Sequence, residues 1–325
     1  MTEETWTYAH HRTLEGLLQR GRGAGARAAL HSARAPELVY RCVEHDTRWW
    51  SFIDERAGYL AGLVRDLELD TAPIARMLEQ PADPVDFEHA ADVLRALGRI
   101  RYGQAEEQLL RYVHSGERWT YVLQGIAHDW PRERWDGLRD RALARLHADP
   151  GEHYLPLAEP WRTWAPPDTP PPEPRRTASP RRVAARPQGV AELIAGWRGL
   201  RASGHWCGYD RLADGLAVHG EAAREAIPLL RGYFLRSPHS YERESVLSAL
   251  LAIAPTDSGA VLVDALWDCE PGVRLLAVRA LEPTAEVRER LADLRDDPLE
   301  EAEARAAARA RAAGTAPPDS RPGAR

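Results

Sequence analysis

From Leu230 the chain reads LRGYFLRSPHSYERESVLSALLAIAP, and from Val261 it reads VLVDALWDCEPGVRLLAVRALEP. The two stretches align at an offset of 31 residues. Leu230 falls on Val261, Leu235 on Leu266, Ser237 on Asp268 and Arg243 on Arg274. Val246, Ala249 and Leu250 fall on Ala277, Ala280 and Leu281. Each stretch is a helical half, a short polar turn and a second helical half. A period of about 30 residues with two helices per unit predicts a stacked α-solenoid, in which each hairpin buries its apolar face against the next.

The segment ALWDCEPGVRLLAVRAL resembles a HEAT repeat. In that family an Asp in the turn and an Arg six residues later form a ladder that ties neighbouring repeats together. The resemblance implies that Asp268 and Arg274 belong to such a ladder. Ser237 and Arg243 hold the same places one unit earlier, where the Ser can accept a hydrogen bond but supplies no charge. The match spans about residues 230–283 and is weak elsewhere. It implies an all-α solenoid of HEAT-like helical hairpins; it implies no single activity, because function belongs to a site and not to a fold.

Composition removes several chemistries. The chain has 325 residues, is 44% hydrophobic and 28% charged, and so can build a real core. All 43 basic residues are Arg, and neither Lys nor Asn occurs, which we read as genome composition. A Walker phosphate loop, a pyridoxal Schiff base and the kinase signature all need Lys, so none is possible. Cys42, Cys207 and Cys269 are far apart and form no CxxC pair. With no apolar leader and no long apolar run, a soluble, cytoplasmic chain without disulfides is expected. The net charge is −6. Residues 161–188 carry +4 and the tail 299–325 carries +1, which leaves −11 on the remainder. Nucleic-acid binding requires a basic stripe, so a nucleic-acid partner is not expected.

Periodicity places helices throughout residues 1–155, which are expected to form an N-terminal HEAT-like body. Trp50, Ile53, Ala57, Leu60, Ala61 and Val64 recur at helical steps, as do Phe87, Ala91, Leu94 and Leu97. VYRCVEHD (Val39–Asp46) is echoed by VLQGIAHD (Val122–Asp129), which extends the array in degraded form. Residues 156–189 are rich in Pro and Arg and predict an extended linker. A C-terminal HEAT-repeat body is expected over 190–298. The Ala/Arg-rich tail over 299–325 has helix formers but almost no large apolar residue, and reads as a solvated, partly disordered segment.

No catalytic, cofactor or metal residue is assigned. Adjacent helical residues point about 100° apart, so His45–Asp46 and His128–Asp129 do not make dyads, and the Asp of each pair reads as a helix N-cap. Some HEAT-repeat proteins are metal oxygenases with paired His-Glu motifs; this chain contains no His-Glu dipeptide. His205 and Cys207 could ligate a metal in a Gly-rich turn but lack two further ligands. Eleven Trp are many for this length. Large aromatics fill space between helices by default, and the sharper reading makes Trp49, Trp50, Trp119, Trp130 and Trp135 a partner-binding patch. Ser179, in RRTASPRR, suits a basophilic kinase. The expected function is a non-catalytic scaffold whose concave acidic and aromatic surface holds a basic peptide or protein surface. The alternatives are a HEAT-like DNA glycosylase acting on alkylated DNA, and an accessory to a pigment lyase.

Overall fold

A computed structural model describes residues 8–48, 53–81, 83–148, 154–165, 188–282 and 284–314. Among them every regular element is a helix, so the fold is all-α. No helix among the described residues is long and apolar enough to cross a membrane.

The chain divides into two compact units, and the division differs from the one expected. One unit joins Met1–Leu69 to Gln188–Arg325; the other is Asp70–Pro187. The boundary near residue 155 is therefore replaced by one at Leu69. Most of the expected linker, residues 166–187, lies outside the described residues.

The discontinuous unit begins with helices α1 (Leu14–Leu18), α2 (Gly23–Ala29), α3 (Ala35–Glu44) and α4 (Arg56–Asp66). The other unit holds α5 (Ala72–Glu79), α6 (Pro84–Arg99), α7 (Ala105–Ser115), α8 (Trp119–Asp129), α9 (Arg139–Ala148) and α10 (Trp161–Trp164). Here α6 packs on α5, α7 and α8 around Phe87, Leu94, Leu97, Leu109, Trp119 and Leu123. Proline stands at the first position of α6, where its missing N–H costs nothing, and the Asp83 carboxylate caps the helix through the Val85 N–H at 2.9 Å.

The discontinuous unit then resumes with α11 (Val190–Ala202), α12 (Tyr209–Val218), α13 (Ile227–Arg236), α14 (Arg243–Ile253), α15 (Gly259–Ala265), α16 (Pro271–Ala280), α17 (Ala285–Asp296) and α18 (Ala302–Ala312). They form four hairpins: α11 with α12, α13 with α14, α15 with α16, and α17 with α18. The second helices also pack in series, α12 on α14, α14 on α16 and α16 on α18. Each of the four buries an alanine completely: Ala213, Ala249, Ala277 and Ala308. Small side chains let helix backbones approach closely, and this explains α18. The tail was expected to be solvated because it lacks large apolar residues. Its helix instead buries Ala304, Ala307 and Ala308 and completes a hairpin. Residues 315–325 lie outside the described residues.

The inter-helix turns are held by ion pairs. Asp268 accepts from the N–H of Glu270 at 3.1 Å, and Ser237 accepts from the N–H of His239 at 3.0 Å. Arg243 reaches Asp268 of the next hairpin through two bonds of 2.7 and 3.0 Å, with both side chains fully buried. Arg274 donates to the carbonyls of Asp268 and Cys269 at 2.6 and 2.7 Å and pairs with Glu300 of the hairpin that follows. Asp297 holds the third turn by accepting from Leu299 N–H at 2.8 Å, and it pairs with Arg65 at 2.6 Å.

Those contacts explain why residues 1–69 belong with the C-terminal hairpins. Gly21 gives its carbonyl to the Cys269 N–H at 2.8 Å and to Arg243 at 3.4 Å. Arg22, itself buried, pairs with Asp264 and donates to the carbonyl of Phe234. Arg20 donates to the Arg236 carbonyl at 3.1 Å. Asp54 and Arg56 form another buried pair at 2.7 Å. Asp46 is not the N-cap expected for it: it is buried, pairs with Arg48 and accepts from the Arg48 N–H at 2.8 Å. Asp129 likewise ends α8 and pairs with Arg95 instead of opening a helix.

Two outcomes follow from this packing. A Cβ at Gly23 would overlap the carbonyl oxygen of Asp264, which is backbone and cannot turn aside. Gly23→Ala is expected to cost about 1–3 kcal/mol, read from the urea midpoint; a midpoint equal to the wild type would contradict the packing. Burial, with Asp54 close by, pushes Glu270 up to about 7. Between its ordinary value and that one, the folded state binds the proton more tightly, so this group's contribution to stability falls as pH rises. His239, pulled down to about 4 by burial, works in the opposite sense over the lower part of the range. The difference between Glu270→Gln and wild type isolates the Glu270 effect. The variant is expected to gain on the wild type from about pH 4.5 to about pH 7, with a constant gap above. A pH-independent gap would show that Glu270 titrates normally.

Candidate functional site

The tryptophans singled out from the sequence do not make a surface patch. Trp119, Trp130 and Trp135 are 1%, 4% and 4% exposed, so they are core. Trp119 meets Trp161 edge to face, and the Trp130 and Trp135 indoles donate to the carbonyls of Arg95 and Trp130 at 3.0 and 3.1 Å. A buried indole needs such an acceptor, and Trp130 and Trp135 have each found one locally, whereas the Trp119 indole N–H has none among the described residues. Trp49, Trp50 and Ser179 lie outside the described residues. Ser237 and Asp268 sit in the turns, Arg243 and Arg274 in the first turns of α14 and α16, and all four are buried or nearly so.

The exposed tryptophan is a different one. Among the described residues Trp206 is the most exposed Trp, at 46%. It stands in the turn Ser203–Gly208 that joins α11 to α12. Gly204 and Gly208 have φ of +75° and +92°, the left-handed region where a Cβ is strained, so the double-glycine composition of SGHWCG is what lets the chain turn here. Gly208 then stands as the N-cap of α12.

The neighbouring hairpin pins this turn. Tyr233 of α13 donates its hydroxyl to the Trp206 carbonyl at 2.9 Å or to the Glu242 carboxylate, which it also contacts. Glu242, just before α14, accepts from the Gly208 N–H at 2.6 Å. Tyr209 donates to the His205 carbonyl at 3.0 Å. Beneath the turn Trp197, Tyr209 and Tyr233 pack as one aromatic cluster with centroids 4.4–5.6 Å apart. Trp206 is thus carried on a backbone fixed from below and from the side.

Next to Trp206 lies Cys207, exposed, whereas Cys42 and Cys269 are buried. Its Sγ is 3.3 Å from His239 Nδ1 and 3.8 Å from Tyr241 Oη, and that hydroxyl is 3.0 Å from the same nitrogen. The His239 and Tyr241 rings stack at 5.4 Å. Burial raises the Cys207 thiol, and the charges of Glu242 and Asp210 raise it further, against a lowering hydrogen bond from Tyr241. Burial pulls His239 down to about 4, helped by the Arg56 guanidinium and opposed by Asp54. At neutral pH this is an uncharged thiol beside an uncharged imidazole, and not a thiolate–imidazolium pair.

His205, two residues from Cys207 in sequence, takes no part in the cluster: its Nδ1 meets Ser203 Oγ at 2.7 Å. No group of three or more His, Cys, Asp or Glu among the described residues is placed to hold a metal ion. The partners of Cys207 come from one repeat further along. A signal for this was present in the sequence, since Cys207 and His239 are 32 residues apart, close to the 31-residue offset of the two repeated stretches. Comparison with protein-family models, curated proteins and solved structures finds no match.

Proposed function

We propose that the chain is a HEAT-like helical-repeat adaptor that binds a protein partner without catalysing a reaction, and that the Trp206 turn is its main point of contact. The observation that carries this reading is a half-exposed tryptophan on a turn whose backbone is hydrogen-bonded to the next hairpin. Large aromatics presented rigidly make binding hot spots, because they bury much area and lose little conformational freedom. The serial packing of α12, α14, α16 and α18, and the Arg243–Asp268 pair between hairpins, support the solenoid part of the proposal. The aromatic contact moves from the tryptophans first expected, three of which are core, to Trp206. Asp210 beside the turn and the chain's net charge of −6 suit a basic peptide or protein surface.

The test compares proteins captured by the tagged full-length chain with those captured by Trp206→Ala. The substitution is on the surface, so the thermal melt should not move. A hot spot of this kind is expected to weaken capture about thirty-fold. Undiminished capture by Trp206→Ala, or release of bases from alkylated DNA by the wild type, would overturn the reading.

A further inference from the structure

We propose that the junction of residues 9–12 with the C-terminal end of α13 binds a doubly charged phosphate group, free or as a monoester, through Arg12, Arg236 and the imidazoles of His10 and His11. The site does not rest on the adaptor reading above. It is organised by Arg20, which is 8% exposed. One nitrogen of Arg20 donates to the Arg236 carbonyl at 3.1 Å, and another to the carbonyls of Ala9 and Gly16 at 2.9 and 2.7 Å. Its guanidinium also lies over the Tyr8 ring, 4.7 Å from the centroid. One side chain thus holds the backbone of Ala9 beside that of Arg236.

The side chains that leave these two points are cationic or can become so. His10, His11 and Arg12 follow Ala9 directly. The His10 and His11 rings are 4.4 Å apart, and the Arg12 N–H donates to His10 Nδ1 at 3.4 Å. The neutral His10 ring therefore carries its proton on Nε2, which can donate to an anion. Arg12, Arg236 and His10 are exposed, and His11 is partly so.

No carboxylate answers this charge. Among the described residues Arg12, Arg20 and Arg236 have no ion pair, and Glu15, the nearest acid along the chain, is taken by Arg41 at 3.2 Å. Elsewhere in this unit the buried guanidiniums have acids of their own: Asp264 for Arg22, Asp54 for Arg56 and Asp268 for Arg243. Burial pulls His11 below the usual imidazole value, and His10, Arg12, Arg20 and Arg236 all push it the same way. Burial pulls Arg20 down to about 10, opposed by Tyr8 and reinforced by Arg56, Arg22 and Arg243. Like charge thus accumulates here in a chain whose net charge is −6, and a bound anion relieves it.

The chemistry of the donors selects the anion. A guanidinium offers paired N–H groups that match phosphate oxygens, and an imidazole adds one more. Donors from two backbone points suit a tetrahedral group better than a planar carboxylate, which a single fork saturates. Two negative charges relieve the cluster more than one, which favours the free ion or a monoester over the diester of nucleic acid. Because the chain has no Lys, phosphate recognition falls to Arg and His.

The experiment follows the histidine Cε1–Hε1 NMR signals of the full-length protein at fixed ionic strength and a pH of about 6.5, where an imidazole is half protonated. Inorganic phosphate, O-phosphoserine and dimethyl phosphate are added in separate titrations. The His10 and His11 signals, identified by their loss in His10→Gln and His11→Gln, are expected to move saturably towards the protonated position, while the remaining histidines do not. Arg12→Gln and Arg236→Gln should each weaken the response about ten-fold. Both side chains are exposed, so the unfolding midpoint should stay at the wild-type value. Saturation by inorganic phosphate, by phosphoserine or by both upholds the site, and the order of the two affinities identifies the free ion or the monoester. No saturable shift, an equal response to dimethyl phosphate, or a response undiminished by both arginine substitutions overturns the proposal.

Discussion

The discontinuous unit depends on one guanidinium. Arg243 is fully buried, and its charge must be met inside the protein because water cannot reach it. Asp268 supplies the opposite charge, Gly21 a carbonyl, and Cys269 a sulfur at 3.1 Å. The three partners come from two places in the chain more than 200 residues apart. An unpaired buried charge of this kind costs about 3–5 kcal/mol when one partner is lost, a large fraction of a domain's stability. The N-terminal segment therefore supplies one of the acceptors of this buried guanidinium. Gly21, with φ of +62° and Cys269 against it, could carry no side chain at this junction.

The same arrangement shows why part of the fold was legible in the sequence and part was not. The α13–α14 and α15–α16 hairpins repeat each other's apolar spacing, so two helices and a turn could be read in each. Arg243 and Asp268 could be assigned to packing because they recur at turn positions. The α17–α18 hairpin carries the same turn acid, Asp297, 29 residues after Asp268. It was missed because its second helix buries alanines where the others bury leucine and valine. Hydropathy counts large side chains; close helix contact can be made with small ones.

The docking of Arg20–Gly23 left no periodic mark. RGRG has no hydrophobic pattern, and its contacts are the carbonyls of Phe234 and Arg236, the carboxylate of Asp264 and the backbone N–H of Cys269. Local composition gives no sign of a partner so distant in the chain. The aromatic reading failed for a related reason. Frequency of Trp identifies material for a core or for a patch, and only burial separates the two. Trp119, Trp130 and Trp135 find acceptors or ring partners inside their unit, whereas Trp206 is kept outside by two glycines that turn the chain before it can enter the core.

The turn that carries Trp206 is a consequence of stacking in the same way as the ladder. Glu242 and Arg243 are adjacent in sequence and point to opposite neighbours: Glu242 back to Gly208 of the preceding hairpin, Arg243 forward to Asp268 of the following one. One dipeptide therefore couples three successive turns. Glu242 is held in a protein interior that raises its carboxyl above the ordinary range; the Gly208 amide donates to one of its oxygens and the Tyr233 hydroxyl lies against the other. Any displacement of the Trp206 turn acts first on Glu242 and through it on the start of α14. The Arg243–Asp268 pair resists further propagation, since moving it would expose or strand a buried charge. The buried pair thus fixes the inner turns, while the outer turn, held through Glu242, carries the exposed Trp206.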